Sequence, residues 1–419
     1  PVQVDGERIR ITEASGGGQG VTIVGRPAVL KSGDGKLSGP TIRLDNFSGR
    51  GSVEGSGSLS MPAEQLLSGD RAPRGTRLEV RWEERLVLDG AEFSFLGDVK
   101  SELGDSRVDC EQLDVALSRA PDLSINGRGG RDLEFKTLMF RHSVHLTRYT
   151  FDPAGDGLDQ TSASSRAKGP RLSEILKARL ANLQVDLSTR DTKALGPGWI
   201  QFWQRGQRRH VPLAPAVLAR ANLPLELDAA DWQYLRVDFS RSSEGNMDRG
   251  FATFDDQVQV VTGHVSRPGD VIDPDRLGRD AGWLQCDSLQ VTREAVPGQE
   301  ADAGVDGVIP VSGSPTRLSS RPRRLTRGSL TLQARGDATG AGRLSSQSWF
   351  ARAETISFNE SSGRVVMSSA GQQKATLWRR NSENGPYSRV DARRLLMSLK
   401  TGEAVLDRAS TTRFVPEGG

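Results

Sequence analysis

Apolar and polar residues alternate in short runs along much of this 419-residue chain. Residues 78–82 and 93–95 change from apolar to polar with a period of two, which is typical of half-buried β-strands. Gly-rich and Ser-rich turns separate such runs from one another. The pattern therefore predicts an all-β protein of stacked antiparallel strands, with loop insertions and at most one or two short helices.

The best helical spacing lies in residues 172–181. Leu172, Ile175, Leu176 and Leu180 would share one face of a helix there, although Arg179 interrupts that face. The same segment can also be interpreted as a loop that runs into a strand at 183–187. Of the one or two short helices that the chain could contain at most, the first candidate is 172–181.

A short motif returns five times along the chain. It consists of a small residue, two mostly polar residues and two apolar residues separated by one position, and its copies begin at Gly39, Cys110, Cys286, Ala353 and Ala392. The two apolar positions share one face of a strand, whereas the small residue faces away unless the chain turns in between. We therefore expect a corner or bulge at the small residue, and we interpret the two cysteines as packing residues in equivalent positions.

A second motif, an aromatic residue followed four positions later by valine, occurs at 95–99, 140–144 and 254–258. Recurring units of this kind indicate a repeat architecture in which each unit buries its apolar face by stacking on its neighbours. The copies of each motif should then occupy equivalent positions in successive layers.

Turn-rich stretches divide the chain into six predicted segments. These are an N-terminal β region (1–75), a β unit (76–151), an insertion with a possible short helix and an aromatic segment (152–230), a second β unit (231–293), a linker loop (294–325) and a C-terminal β unit (326–419).

The amino-acid composition and the charge of the chain limit the kinds of core and partner that it can have. Apolar residues make up 35% and aromatic residues 5% of the chain, which favours a thin two-layer core. The net charge of +3 arises from 56 basic and 53 acidic residues that are well mixed. Such mixing argues against a nucleic-acid partner, which would require clustered Lys and Arg.

No signal peptide or long apolar stretch is apparent, and a start at Pro1 leads us to expect a processed protein or a piece of a longer one.

Residues for catalysis or metal binding are sparse. The four histidines have no partner at zinc-ligand spacing, and the sequence contains no nucleophile elbow or phosphate-binding loop. Asp255 and Asp256 are adjacent, so their side chains would point apart on a strand. Trp199, Phe202 and Trp203 could stack on sugars or form a small core beneath an insertion. We predict a non-enzymatic protein without catalytic residues, metal or cofactor.

The two motifs and the C-terminal run from Ala334 to Gly402 resemble the LptA/OstA-like family of lipopolysaccharide-transport proteins. The resemblance covers residues 76–145 and 230–414. It implies a β-taco or jelly-roll stack, a periplasmic location, and a fragment of a larger bacterial member. It also implies two kinds of partner: lipopolysaccharide or a similar glycolipid, and envelope transport proteins or further copies of the chain joined by edge strands.

Under this interpretation the apolar motif residues line a groove that holds acyl chains. The implied lipid-binding residues are Phe95, Val99, Leu113, Val115, Phe254, Val258, Leu289, Val291, Ile356 and Phe358. Two alternatives remain open at this point: a structural or protein-interaction scaffold in which the same residues form a fully packed core, and a carbohydrate-active β-solenoid.

Overall fold

The computed structural model describes residues 2–13, 19–46, 48–68, 71–120, 134–152, 171–205, 232–246, 248–278, 281–295, 328–344, 347–359, 361–371, 373–380, 385–398 and 403–414. These residues form one antiparallel sheet of 24 strands, so the all-β prediction is confirmed. The described part of the chain contains one turn of 3₁₀-helix, Pro274–Arg276, and no α-helix. Within these ranges no helix is long and apolar enough to cross a membrane.

The first eight strands are β1 (Val2–Asp5), β2 (Arg8–Glu13), β3 (Gln19–Ser32), β4 (Gly35–Asp45), β5 (Arg50–Glu54), β6 (Gly57–Pro62), β7 (Arg77–Trp82) and β8 (Arg85–Asp89). The next eight are β9 (Glu92–Leu103), β10 (Ser106–Leu117), β11 (Phe135–Asp152), β12 (Arg171–Asp186), β13 (Asp191–Leu195), β14 (Gly198–Arg205), β15 (Trp232–Phe239) and β16 (Ser242–Asn246). The last eight are β17 (Phe251–Val265), β18 (Ala281–Ala295), β19 (Gly328–Leu344), β20 (Gln347–Asn359), β21 (Arg364–Ser368), β22 (Ala375–Arg380), β23 (Tyr387–Ser398) and β24 (Ala404–Phe414).

The strands are arranged as a stack of layers. A layer is either one long strand or two short strands placed end to end, such as β5 with β6, or β13 with β14. Twelve long strands and six short pairs make eighteen layers. At about 4.8 Å between neighbouring strands, the stack is roughly 80 Å long.

Each layer is bent near its middle, which divides the sheet into two arms that meet at a fold line. The first arm contains β2, β5, β8, β13, β16 and β21, and the second arm contains β1, β6, β7, β14, β15 and β22. The long strands contribute one half to each arm. In the short pairs, the connection between the two strands lies at the fold line.

In four of the long strands, β9, β11, β17 and β19, the bend is a β-bulge. Gly97 and Asp98 of β9 both have positive φ angles, 84° and 39°, and together they lie opposite Glu111 of β10. The corresponding residues are His142 and Ser143 in β11, Asp256 and Gln257 in β17, and Gly336 and Asp337 in β19. An extra residue in one strand forces a local kink and leaves the flanking pairs in register. The second sequence motif, from aromatic to valine, is therefore the signature of this bulge.

The predicted helix at 172–181 is wrong, because these residues belong to β12. Leu176 and Leu180 are four residues apart, a spacing that places two side chains on one face in a strand as well as in a helix. Ile175 lies on the opposite face of β12 and is also buried, in a second, smaller apolar cluster. A strand buried on both faces thus produced the helix-like spacing.

The sheet also continues through parts of the chain that we predicted to be insertions. Residues 171–205 form β12, β13 and β14, which are ordinary layers of the stack. β11 ends at Asp152 and β14 ends at Arg205, both at the outer end of the second arm.

Candidate functional site: the inner face of the folded sheet

One row of residues passes through every layer of the first arm beside the fold line. Its members are direct register partners from each strand to the next, and we call them the core row. The core row is Ile9, Ile23, Ile42, Val53, Leu86, Phe95, Leu113, Phe140, Leu183, Ala194, Ser243, Phe254, Leu289, Ala334, Ile356, Met367, Leu395 and Leu406. All are buried except the two terminal members, Ile9 and Leu406, which are 48% and 37% exposed.

Small residues dominate the corresponding positions on the other side of the fold line. These positions, the corner row, contain the register pairs Ala28–Gly39, Gly57–Trp82, Val99–Cys110, Val144–Leu180, Gly198–Phe239, Val258–Cys286, Ala338–Ala353 and Ala375–Ala392. A Cβ atom on Gly39 would lie 2.3 Å from Cγ1 of Val53 in the core row. The two arms therefore approach closely at the fold line, and this approach explains the small residue of the first motif.

Two further rows lie farther from the fold line, the first mostly apolar and the second a mixture of apolar residues with Gly, Ser, Thr and Arg. The first rim row, on the first arm, is Ile11, Val21, Leu44, Gly51, Leu88, Phe93, Val115, Leu138, Val185, Thr192, Gly245, Ala252, Val291, Leu332, Phe358, Val365, Met397 and Ala404. The second rim row, on the second arm, is Met61, Leu78, Leu103, Ser106, Arg148, Leu176, Phe202, Leu235, Thr262, Gly282, Gly342, Trp349, Arg379 and Ser388. Many members of both rows are only half-buried.

The ten residues predicted to contact lipid all lie on this inner face, in three different rows. Five belong to the core row: Phe95, Leu113, Phe254, Leu289 and Ile356. Two belong to the corner row, Val99 and Val258, and three to the first rim row, Val115, Val291 and Phe358. Only Val291 and Phe358 are half-buried, whereas the other eight are buried in the main apolar cluster.

The predicted lipid contacts did not include the half-buried apolar residues nearer the free edges of the arms. Phe93, Phe202, Leu235 and Trp349 are the large examples. The period-two alternation continues outward from the motifs and would have indicated them. The sequence prediction also overlooked a further copy of the first motif, Leu180-Ala-Asn-Leu183-Gln-Val185, because leucine replaces the usual small residue. Leu180 pairs with Val144, and Leu183 pairs with Phe140.

The two cysteines occupy equivalent positions, as the repeat alignment predicted. Cys110 pairs with Val99 and Cys286 pairs with Val258. Backbone groups at matching positions lie beside each thiol, Arg141 and Gln112 for Cys110, and Arg335 and Ser288 for Cys286. Burial raises the pKa of each thiol to about 12. Both cysteines are free and serve as small apolar side chains at the fold line.

One ion pair interrupts the apolar surface of the second arm. Nη2 of Arg148, in the second rim row, donates to Oε1 of Glu174 at 2.5 Å. The two side chains retain 27% and 19% exposure. Nε of Arg148 is buried and has no hydrogen-bond partner in the described part of the chain. The pair places charge at the inner face between Ser106 and Leu176.

A second apolar cluster covers the outer face of the second arm. It consists of Ile175, Trp203, Trp232, Tyr234 and Val261. Nε1 of Trp203 donates to the carbonyl oxygen of Asp270 at 2.8 Å, which fixes the segment 266–278 over the cluster. The aromatic segment is therefore divided: Trp203 lies in this outer core, and Phe202 lies on the inner face.

Two of the polar residues that we considered for metal binding or catalysis, His142 and Asp256, lie in the bulges that bend the strands. His142 and Asp256 are bulge residues with φ angles of 60° and 69°. The backbone N–H of His142 donates to Oδ1 of Asn182 at 3.0 Å. Among the residues that the structure describes, no group of three His, Cys, Asp or Glu side chains has the geometry of a metal site.

Comparison with known proteins gives no family assignment. A scan against protein-family models finds no match, and no curated protein matches the sequence. The candidate site is therefore defined by the geometry of the inner face.

Proposed function

We propose that this chain is a non-enzymatic periplasmic protein that binds or conducts lipopolysaccharide-like amphiphiles along the inner face of its folded sheet. The observation that carries the proposal is the set of large apolar side chains that are only half-buried in the two rim rows, one row on each arm, along the stack axis. Acyl chains lie against these rows, and the core and corner rows hold the arms together beneath them. The resemblance to the LptA/OstA-like family supports the proposal.

The energetics favour an elongated apolar ligand. Burial of each methylene group stabilises a complex by about 0.8 kcal/mol, so an acyl chain along several layers gains substantial binding free energy. Phe93, Val291 and Phe358 on the first arm and Phe202, Leu235 and Trp349 on the second arm supply the contacts. These side chains lie in layers spread along the stack, so several of them can contact one elongated ligand.

The ends of the stack provide surfaces for the proposed protein partners. Ile9 and Ile11 of β2 are exposed at one end, and Val405 and Leu406 of β24 are exposed at the other. Among the described strands, β24 pairs only with β23, so one edge of β24 is open to another chain. Open strand edges recruit further strands unless they are blocked. We propose that envelope transport proteins or further copies of this chain extend the apolar rows there.

Photo-crosslinking tests the location of the ligand. A benzoylphenylalanine at Phe358 or Phe202 should form adducts with lipopolysaccharide, because both side chains are half-buried in the rim rows. The matched control is the same probe at Tyr149, which is exposed and whose register partner, Ile175, belongs to the outer cluster. Equal adduct yields at Tyr149 and Phe358 would contradict binding along the inner face.

A scaffold with a fully packed core is the second candidate function. Its supporting observation is that eight of the ten predicted contact residues are buried in the main apolar cluster. The two functions differ in one simple measurement, mass spectrometry of an organic extract from protein purified out of its native envelope. Retained glycolipid supports the carrier, and its absence together with absent crosslinks supports the scaffold.

A further inference from the structure

The outer face of the second arm carries a cluster of arginine and aromatic side chains near the C-terminal end of the stack. We call it the arginine–aromatic patch, and it consists of Arg343, Phe350, Trp378, Arg380, Tyr387 and Arg389. Register partners connect the four strands that contribute to it, β19, β20, β22 and β23. Phe350 and Tyr387 are each 37% exposed.

Two guanidinium groups of the patch lie over aromatic rings. The Cζ of Arg380 is 5.1 Å from the ring centroid of Tyr387, and the Cζ of Arg389 is 5.5 Å from that of Trp378. Nε of Arg380 also donates to Oγ of Ser348 at 3.3 Å. A ring beneath a guanidinium group restricts its orientation and leaves N–H groups at its edge for oxyanions. These arginines are thus oriented before a ligand arrives.

In earlier layers of the stack, two aromatic residues on this outer face are buried rather than exposed. Trp203 and Tyr234 belong to the register row that continues to Arg380 and Tyr387, but both are buried beneath segment 266–278. Among the described residues, no comparable segment covers Phe350 and Tyr387, which stay exposed. The patch is therefore an aromatic surface accessible to a ligand.

Charge favours an anionic ligand. Residues 328–398 contain ten Lys and Arg against five Asp and Glu, whereas the whole chain has a net charge of only +3. Arg389 retains a carboxylate partner, Asp391, at 3.1 Å. A ligand with several negative groups would complement the excess positive charge of this region.

The patch adjoins the inner face at the free end of the second arm. Arg380 follows Arg379, and Tyr387 precedes Ser388, and both Arg379 and Ser388 belong to the second rim row. Successive residues of a strand point to opposite faces. The inner and outer faces therefore meet at the outer ends of β22 and β23. A molecule whose acyl chains lie on the second rim row can place its polar headgroup on the patch by passing around these strand ends.

We propose that the arginine–aromatic patch binds the phosphorylated saccharide headgroup of the amphiphile. Phosphate oxygens accept charge-assisted hydrogen bonds from Arg380 and Arg389, and the C–H face of a sugar ring contacts the exposed ring of Phe350. This inference deepens the proposed function by naming the chemistry of the headgroup. Single-stranded nucleic acid fits less well, because its bases need open ring faces and the guanidinium groups already occupy those of Trp378 and Tyr387.

Binding of deacylated lipopolysaccharide to the full chain, measured by titration calorimetry, tests the patch without acyl chains. The double variant Arg380→Gln/Arg389→Gln should lose at least about tenfold in affinity, since two charge-assisted contacts disappear. The matched control is Arg50→Gln/Arg107→Gln, which removes two exposed, carboxylate-paired arginines elsewhere on the stack and should leave affinity unchanged. Tyr387→Leu keeps both charges and should lower affinity about threefold through loss of the ring beneath Arg380.

Three results would overturn the assignment: unchanged affinity in the Arg380/Arg389 variant, equal binding of the dephosphorylated saccharide, or equal binding of single-stranded DNA of the same charge. The test separates this inference from the proposed function. A parent chain that does not bind the deacylated headgroup but still crosslinks at Phe358 would reject the patch alone, whereas headgroup binding by the parent without any acyl-chain crosslink would reject the carrier alone.

Discussion

Trp82 and Phe95 pack against each other across the fold line, with ring centroids 5.3 Å apart and ring planes inclined by 53°. Trp82 belongs to the second arm and Phe95 to the core row of the first arm. The register partner of Trp82 is Gly57, where a Cβ atom would lie 2.4 Å from Cζ2 of the indole. The large ring therefore occupies space that its neighbouring layer leaves empty, and the contact joins the two arms.

Trp82→Ala should lower the free energy of unfolding by roughly 3–5 kcal/mol, because it removes a fully buried ring and leaves a cavity at the fold line. Urea denaturation followed by circular dichroism measures the change. Tyr149→Ala removes an exposed ring and serves as the control, with an expected change below about 1 kcal/mol. Similar losses in the two variants would show that Trp82 does not join the arms.

Gly336→Ala should destabilise the protein by about 1–3 kcal/mol. Gly336 has a φ angle of 78°, and a Cβ atom there would lie 2.2 Å from Oδ2 of Asp287. Gly278→Ala is the control, since among the described residues no atom apart from its chain neighbours lies within 4 Å of the added Cβ. Urea midpoints of the two variants compare them directly, and equal midpoints would contradict the role of the bulge in bending the layer.

Val258→Asp should cost on the order of 3 kcal/mol or more, because it buries an unpaired carboxylate in the corner row. Val291→Asp lies in the half-buried part of the first rim row and should cost less while weakening amphiphile binding. Urea midpoints and lipopolysaccharide binding are measured together for both variants. Collapse of both variants, with no lipid bound by the parent, would favour the scaffold.

Both thiols should resist alkylation in the folded protein. Burial raises the pKa of Cys110 and Cys286 from 9.0 to about 12, so the reactive thiolate is scarce at pH 8. The unfolded chain releases these protons at lower pH than the folded chain does. The thiols therefore stabilise the fold fully below pH 9 and lose this contribution as the pH rises towards about 12. Mass spectrometry after iodoacetamide treatment, with and without urea, measures the protection, and rapid labelling without urea would contradict it.

End-to-end association should increase with protein concentration and decrease in Val405→Lys, because the substitution places a charge on the exposed apolar surface of β24. Val271→Lys is the matched control, since Val271 and Val405 are 61% and 63% exposed. Thr411→Pro should also prevent association by disrupting the edge strand itself. Sedimentation velocity measures the oligomers, and a parent that stays monomeric over a hundredfold concentration range would contradict this assembly.

The sequence identified the bend of the layers through two local signatures. Phe95 and Val99 enclose two residues with positive φ angles, and Cys110 and Leu113 enclose the opposite side of the same bulge. Both patterns can be recognised in the sequence because a bulge shifts the side chains from one face of the sheet to the other within only a few residues. The segment at Leu180 escaped this interpretation because a large residue there replaced the small one.

By itself, the sequence determined the strand class, the repeated bulge and the apolar inner face, since all three depend on side-chain alternation within a single strand. Only the tertiary structure decided that Phe95 and Val258 are closed core residues while Phe358 and Phe202 are half-buried. Exposure there depends on the distance from the fold line and on how closely the two arms approach. The distance between the arms depends on side chains in different layers, such as Gly57 and Trp82. It therefore cannot be predicted from the pattern of residues along one strand.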